Sequence, residues 1–372
     1  MKNYTTQFTY GNDMKFLRWL VIATVCFMVG VLIMNNQIAA EGVSDDSHSA
    51  QLVDGTFYNN AKVEQPGFRK TLGIFIRFMT EKKIDAEPKH ELPMYALSTQ
   101  QLASLSNDSV HFVKLGHSSI LAKVYGEFWL FDPVFSERAS PFSFMGPKRF
   151  QPTPIRIEQL PHIAKVFISH NHYDHLDKAA IKQLADKTDS FYVPLGVENE
   201  LIKWGVKKQK VLSFDWWQDH TTTNSQIVFT PTQHFSGRGL TDRNKTLWGS
   251  WAIKVKDKRF YFSGDSGYFA GFKEIGKRYG PFDITFIETG AYDQEWSNIH
   301  MTPEQSVQAH LDLHGNIMVP VHNGTFDLAF HAWYEPLNRV TKKAVQEHVS
   351  LSTPLVGEVF SIQDPAINKT WW

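Results

Sequence analysis

The longest apolar stretch of the chain runs from Trp19 to Met34, broken only by Thr24 and Gly30. At about 1.5 Å per residue it spans roughly 24 Å, a little short of the ~30 Å hydrocarbon layer of a bilayer. Phe16 and Leu17 lengthen it once Arg18 snorkels to the headgroups. The pattern predicts a signal anchor over 16–34, in preference to a cleaved signal peptide with Ile38-Ala39-Ala40 as its weak cleavage site. Lys2, Lys15 and Arg18 precede the run, and Glu41, Asp45, Asp46 and Asp54 follow it. This asymmetry predicts a cytoplasmic tail at 1–15 and the bulk of the chain outside the cytoplasm, in the periplasm of a Gram-negative cell. Polar residues 35–66 read as a linker. Within the lead-in 67–108, Phe68, Leu72, Phe75, Ile76 and Met79 recur at helical spacing among Arg69, Lys70, Arg77, Lys82 and Lys83. That predicts a basic amphipathic helix, suited either to a membrane surface or to packing on the domain.

From Ser109 the period changes to that of strands. Val110–Lys114, Ile120–Val124, Phe128–Phe131, Ala164–Ile168, Phe191–Val193, Ile227–Thr230, Ser250–Val255, Arg259–Phe262, Ile284–Glu288 and Ile317–Val321 all read as β. Helical patterns fall over 178–185, 198–204, 268–278, 303–315 and 334–348. The 303–315 helix has the clearest start, with Thr302 and Gln305 forming a capping box and Pro303 in the first turn. Residues 134–160 read as an irregular insert. Strands with interspersed helices predict an α/β (α+β) domain over 109–372, with sheet layers covered by helices.

Composition narrows the functions open to such a domain. Lys+Arg and Asp+Glu are 38 each, and no Lys/Arg-rich run occurs, so nothing argues for a nucleic-acid partner. The single cysteine, Cys26, lies in the apolar run, which excludes an internal disulfide and a thiolate-rich metal site.

The chemistry concentrates in His170-Asn171-His172-Tyr173-Asp174-His175, straight after a strand. Side chains alternate along a strand, so His170 and His172 point the same way as it ends. The chain then turns and brings round Asp174 and His175. Neutral imidazoles and a carboxylate are ligands for a borderline-soft cation such as zinc. Three later positions repeat the pattern of a ligand type just past a strand end: His234, Asp265 and His322. Gly264 and Gly267 let the backbone turn sharply around Asp265. Gly264-Asp265-Ser266-Gly267 also matches a serine-protease tetrapeptide, but no base accompanies it and the histidine cluster stays unexplained. His117 follows another strand, as a group beside the metal or substrate or as a turn residue.

H-x-H-x-D-H followed by His, Asp and His in that order resembles the metallo-β-lactamase superfamily. The stretches SERASPFSFMGPKRF (136–150), NKTLWGSW (244–251), EIGKRYGPFD (274–283), GAYD (290–293), HMTPEQSV (300–307) and HNGTF (322–326) are similar to one branch of it. That branch comprises N-acyl-phosphatidylethanolamine-hydrolysing phospholipase D and its bacterial RomA-like relatives. The resemblance implies a four-layer αββα sandwich with two Zn²⁺ at one edge. One zinc would be held by His170, His172 and His234, the other by Asp174, His175 and His322, with Asp265 bridging. It implies hydrolysis of a phospholipid phosphodiester by a water that the zinc pair activates, with Asp174 among the catalytic residues and His300 assisting the leaving group. His117, His300 and His331 are the expected substrate contacts, and Trp333 a weaker one. A lactonase or other small-ester or phosphodiester hydrolase of the superfamily is the alternative. Asn323, Glu288-Thr289-Gly290 and Phe235-Ser236-Gly237 depart from the branch pattern close to the site.

Overall fold

The alternation that begins at Val110 becomes three antiparallel strands, β3 (Val110–Gly116), β4 (Ser119–Val124) and β5 (Glu127–Phe131). Next come β6 (Ile163–Phe167), β7 (Thr188–Pro194) and β8 (Val211–Phe214), each parallel to its neighbour. With β16 (Val359–Ser361) beside β3, they form a seven-stranded sheet. The second half repeats the scheme. Strands β9 (Asp219–Thr221), β10 (Ser225–Thr230), β11 (Ser250–Val255) and β12 (Lys258–Phe262) are antiparallel, and β13 (Phe282–Glu288), β14 (Gly315–Val321) and β15 (Ser350–Leu351) extend the sheet in parallel. The computed structural model describes residues 49–61, 63, 67–367 and 370–372, without the side chains of Phe68 and Phe75.

Aromatic residues from both sheets fill the space between them. Phe131 stacks on Phe167 at 4.6 Å within the first sheet, and Phe112 reaches across to Phe286 at 5.0 Å. The outer face of the first sheet packs Leu121 and Val166 against Ile181 and Leu201 of helices Lys178–Leu184 and Val197–Lys203. The second packs Met318 against Ile275, Val307 and Val340 of helices Gly271–Tyr279, Pro303–Asp312 and Glu335–Gln346. The layers are therefore helix, sheet, sheet, helix.

Two expectations change. The described part of the segment read as linker forms a hairpin, β1 (Gln51–Val53) with β2 (Thr56–Tyr58). Phe57 is buried there and its N–H donates to the Asn244 carbonyl at 2.9 Å. Neither strand shows a readable alternation, and this pair is held by distant partners. Strands β8, β9, β15 and β16 were unreadable for the same reason. The capping box of Ser98 and Gln101 starts a further short helix, Thr99–Ser104.

The helix read from residue 68 spans Phe68–Thr80 and falls in a unit separate from the sandwich. Ile76, Phe78 and Met79 on it are exposed, and Arg77 pairs with Glu81 one turn on. The tail at 1–15 and the anchor at 16–34 lie outside the described residues. Among the described residues, no helix is long and apolar enough to cross a membrane.

Candidate metal centre

Every ligand-type side chain singled out at a strand end arrives at one edge of the sandwich. Strand β6 carries the chain out of the core to Ser169, whose N–H and Oγ–H donate to the two oxygens of Asp132 at 2.7 and 2.6 Å. The turn closes through His175 and Leu176 N–H groups donating to the His172 carbonyl at 3.1 and 2.8 Å. Asp177 then caps the following helix at Ala179 and Ala180. Gly264 turns with φ +56°, and a Cβ there would stand 2.6 Å from the Ser169 Cβ. The loop bearing Asp265 can therefore close on the histidine loop only with glycine at 264.

Among the described residues three sets of ligand atoms result, His170, His172, His234 and Asp265 in one, His117, Asp174, His175 and His322 in another, and Asp265, Glu288, His300 and His322 in a third that overlaps both. Within each set the atoms lie inside 4.8 Å of one another. Asp265 stands between the first two sets, 3.2 Å from His175 Nε2, 3.1 Å from His322 Nε2 and 3.8 Å from both His170 Nε2 and His234 Nε2. The structure thus places His117 inside the second set, with Nε2 at 3.0 Å from Asp174. Both His117 and His322 adopt left-handed backbone (φ 52° and 62°), a conformation that stores strain in a residue other than glycine. They are clasped together, because the His322 N–H donates to the His117 carbonyl at 3.2 Å and the His117 N–H to Thr325 Oγ1 at 2.6 Å.

Outer partners set the imidazole tautomers. His175 Nδ1–H donates to Asp132 at 2.7 Å and His234 Nδ1–H to the Ile299 carbonyl at 2.9 Å. His170 Nδ1–H donates to Ser169 Oγ at 2.9 Å, whose own proton is committed to Asp132. Each of these rings therefore turns an Nε2 lone pair inward, as a metal ligand requires. His172 presents Nδ1, 2.9 Å from His170 Nε2 and 3.3 Å from His234 Nε2. The hairpin contributes Asn59, whose side chain accepts the His234 N–H at 3.0 Å and donates to its carbonyl at 2.8 Å.

The electrostatics call for positive charge. Burial drives the His172 imidazole down to about 4 and the His117 imidazole to about 3, and holds His170 and His234 well below the ordinary value. Burial acts the same way on His322, but Asp265 and Asp174 outweigh it and raise His322 to about 9. His175 is raised in the same manner, well above its ordinary value. Burial raises the Asp174 and Asp265 carboxyls, yet His175 and the other imidazoles outweigh it and pull both well below the usual carboxylate range.

His300 lies at the rim, its ring centroid 5.1 Å from that of His234 and 5.5 Å from that of His322. His331 stacks on Tyr292 at 4.4 Å. With Trp333, Asn323 and Phe326 it lines a small, open recess that reaches His322. Sequence reasoning missed Asp132, Asn59 and Glu288 as functional groups. Asp132 directly follows β5 just as the chosen ligands follow their strands, so that rule could have found it. Glu288 ends β13 and stands in one of the departures from the branch pattern, which was its signal, and no local signal marks Asn59.

The chain matches a family model for the β-lactamase superfamily domain over residues 129–323. It is 43% identical over 261 residues to an uncharacterised protein of Mycobacterium tuberculosis, covering 69% of this chain and 70% of that one. Against N-acyl-phosphatidylethanolamine-hydrolyzing phospholipase D 1 of Caenorhabditis elegans it is 29% identical over 346 residues, 86% of this chain and 97% of the other. Among solved structures, a metallo hydrolase from the archaeon Ignicoccus hospitalis shares the fold with a TM-score of 0.52 and 21% identity, over 68% of this chain and 97% of that one.

Proposed function

This chain is a metal-dependent hydrolase of the metallo-β-lactamase superfamily, and from that premise we propose that it cleaves the phosphodiester of N-acyl phosphatidylethanolamine-like phospholipids on the phospholipase D side. The observation that carries the hydrolytic reading is the pair of ligand sets with Asp265 between them. The lipid reading is supported by the similarity to the nematode phospholipase, which extends over nearly all of that enzyme.

The residues fit a pair of zinc ions. His175 Nε2 and Asp265 Oδ1 are buried 3.2 Å apart, and neither has a hydrogen-bond partner among the described residues. Atoms so placed gain from a cation between them and lose without one. His170, His172 and His234 would hold one zinc, and Asp174, His175 and His322, joined by His117, the other, with Asp265 standing between the two sets. When bound, such ions supply Lewis acidity at a phosphoryl oxygen and lower the pKa of a water from 15.7 toward ~7. The protein's part is orientation. Asp132, the Ile299 carbonyl and Ser169 hold three rings with their lone pairs inward, so little reorganisation accompanies reaction. His300, at the rim of the cluster, would serve the leaving oxygen, and His331, beside the recess at His322, would contact the substrate. The apolar run at 16–34 would tether this centre to a membrane, outside the cytoplasm, where such lipids are.

The test is a panel of N-acyl phosphatidylethanolamine in vesicles, bis(4-nitrophenyl) phosphate, a lactone and RNA. Each is assayed before chelation, after verified metal removal, and after zinc is restored. Turnover of the phospholipid that is lost and regained with zinc is expected. Full turnover by metal-free protein overturns the hydrolytic reading, and preference for the lactone overturns the lipid one. Asp265→Asn should lower kcat by at least ~100-fold, at or beyond the upper end of effects seen for residues outside the ligand shell.

A further inference from the structure

Glu288 ends β13 and is fully buried, with 0% exposure. Both of its carboxylate oxygens are engaged. Oε2 accepts the Ser266 N–H at 2.6 Å, and Oε1 is bonded to His300 Nδ1. Its backbone is pinned as well, since the Glu288 N–H donates to Ser263 Oγ at 2.9 Å and its carbonyl accepts Ser306 Oγ–H at 2.6 Å. Burying a carboxylate beside Asp265 is costly, and packing alone would favour an apolar residue at this position. Among the described residues, the side chain hydrogen-bonded to the Glu288 carboxylate is that of His300. With Nδ1 taken, Nε2 is the ring's free nitrogen, on a side chain 14% exposed at the rim of the ligand cluster.

We propose that Glu288 is a positioning residue that holds His300 by its Nδ1–H, so that Nε2 is the nitrogen presented to the departing oxygen of the substrate. The proposal rests on the phosphodiesterase reading above. In the step it serves, the oxygen of water bonds to phosphorus while the bond from phosphorus to the alcohol oxygen breaks. The ring enters this step charged, with Nδ1–H held by the Glu288 carboxylate and a second proton on Nε2; the alcohol oxygen leaves with the bonding pair and takes the Nε2 proton, and the proton shed by the water returns to Nε2. Glu288 never meets the substrate; its role parallels that of the carboxylate that orients a catalytic histidine in serine hydrolases.

The test compares full-length wild type with Glu288→Gln, His300→Ala and the double variant, each with its zinc content measured. In Glu288→Gln the side-chain oxygen can still accept from Ser266, but an NH₂ then faces His300 Nδ1 and favours the opposite tautomer. On N-acyl phosphatidylethanolamine, whose alcohol is a poor leaving group, kcat should fall ~10²-fold or more with KM little changed. On bis(4-nitrophenyl) phosphate, whose leaving group needs no proton, kcat should stay within about threefold. The double variant should be no worse than His300→Ala. Equal losses on both substrates overturn the proposal, as does loss of zinc in Glu288→Gln, which would make Glu288 a ligand. A second readout needs no turnover. The ¹⁵N resonance of His300 Nδ1 in wild type, assigned by its absence in His300→Ala, should carry the shift of a protonated nitrogen. An unprotonated Nδ1 overturns the proposal even if Glu288→Gln fails to fold. If the lipid is not a substrate, the phospholipase reading fails, and this resonance still decides the role of Glu288.

Discussion

Asp132 shows how one residue can govern a centre that it does not line. It accepts from His175 Nδ1, Ser169 N and Ser169 Oγ together, and so sets the tautomer of His175 directly and of His170 through the serine. In Asp132→Asn the amide can donate to His175 Nδ1 and turn an N–H toward the metal position. Zinc affinity should drop 10–100-fold, measured by competition with a chromophoric chelator. A second residue, far from the centre, sets a pH limit on stability. His310 is buried in the helical layer with Nδ1 against Thr285 Oγ1, and burial lowers its imidazole to about 4. Unfolded, it would titrate near 6.5, so between 6.5 and 4 the unfolded chain binds more protons than the folded one. This contribution is fully present above about 6.5 and is lost as pH falls toward 4, by roughly 3 kcal/mol. Urea denaturation of wild type and His310→Gln across that range should show a shallower acid decline in the variant.

At the scale of elements, the site exists because loops leave strand ends at a common edge and approach closely. A Cβ on Gly290 would stand 2.1 Å from the His322 carbonyl, so Gly290→Ala must push apart the loops after β13 and β14. A cost of 1–3 kcal/mol is expected in denaturant titrations, together with weaker zinc retention, because His322 moves with its backbone. The helix Pro303–Asp312 behaves as its sequence foretold. Thr302 Oγ1 accepts the Gln305 N–H at 3.3 Å, and Gln305 returns a side-chain bond to the Thr302 N–H. Thr302→Ala should cost about 1 kcal/mol, with zinc content unchanged. The two sheets share one pairing scheme, antiparallel then parallel. Asp132 and Asp265 follow the corresponding strands β5 and β12 on the antiparallel side of the change in each sheet.

At the scale of the whole molecule, the sheets depend on each other and the centre depends on both. Trp251 of β11 is fully buried, packs tilted against Phe229 of its own sheet at 4.7 Å, and meets Phe214 and Phe167 of the other sheet edge-on, each at 5.3 Å. Its Nε1–H donates to the Ile168 carbonyl at 3.1 Å, just before the histidine loop. Trp251→Ala should cost 3–5 kcal/mol in stability and also lower zinc affinity, since it removes both the inter-sheet core and the anchor of that loop. If stability fell and zinc binding were untouched, the centre would be less coupled to the core than this contact implies.

The sequence by itself determined the local features. His170 to His175 read as metal-binding because few other roles need those types at that spacing. His234, Asp265 and His322 read as their partners because each follows a strand, and long strands and capped helices announce themselves by period and end chemistry. Tertiary structure alone decided which side chains support them. Asn59 reaches His234 across 175 positions and His117 meets Asp174 across 57. Glu288 binds a histidine twelve residues on, around a turn with no readable period. Short strands pair through distant neighbours, and a buried carboxylate gains its meaning from what faces it. Neither leaves a periodic trace in the chain, because both are set by contact in space and not by position along it.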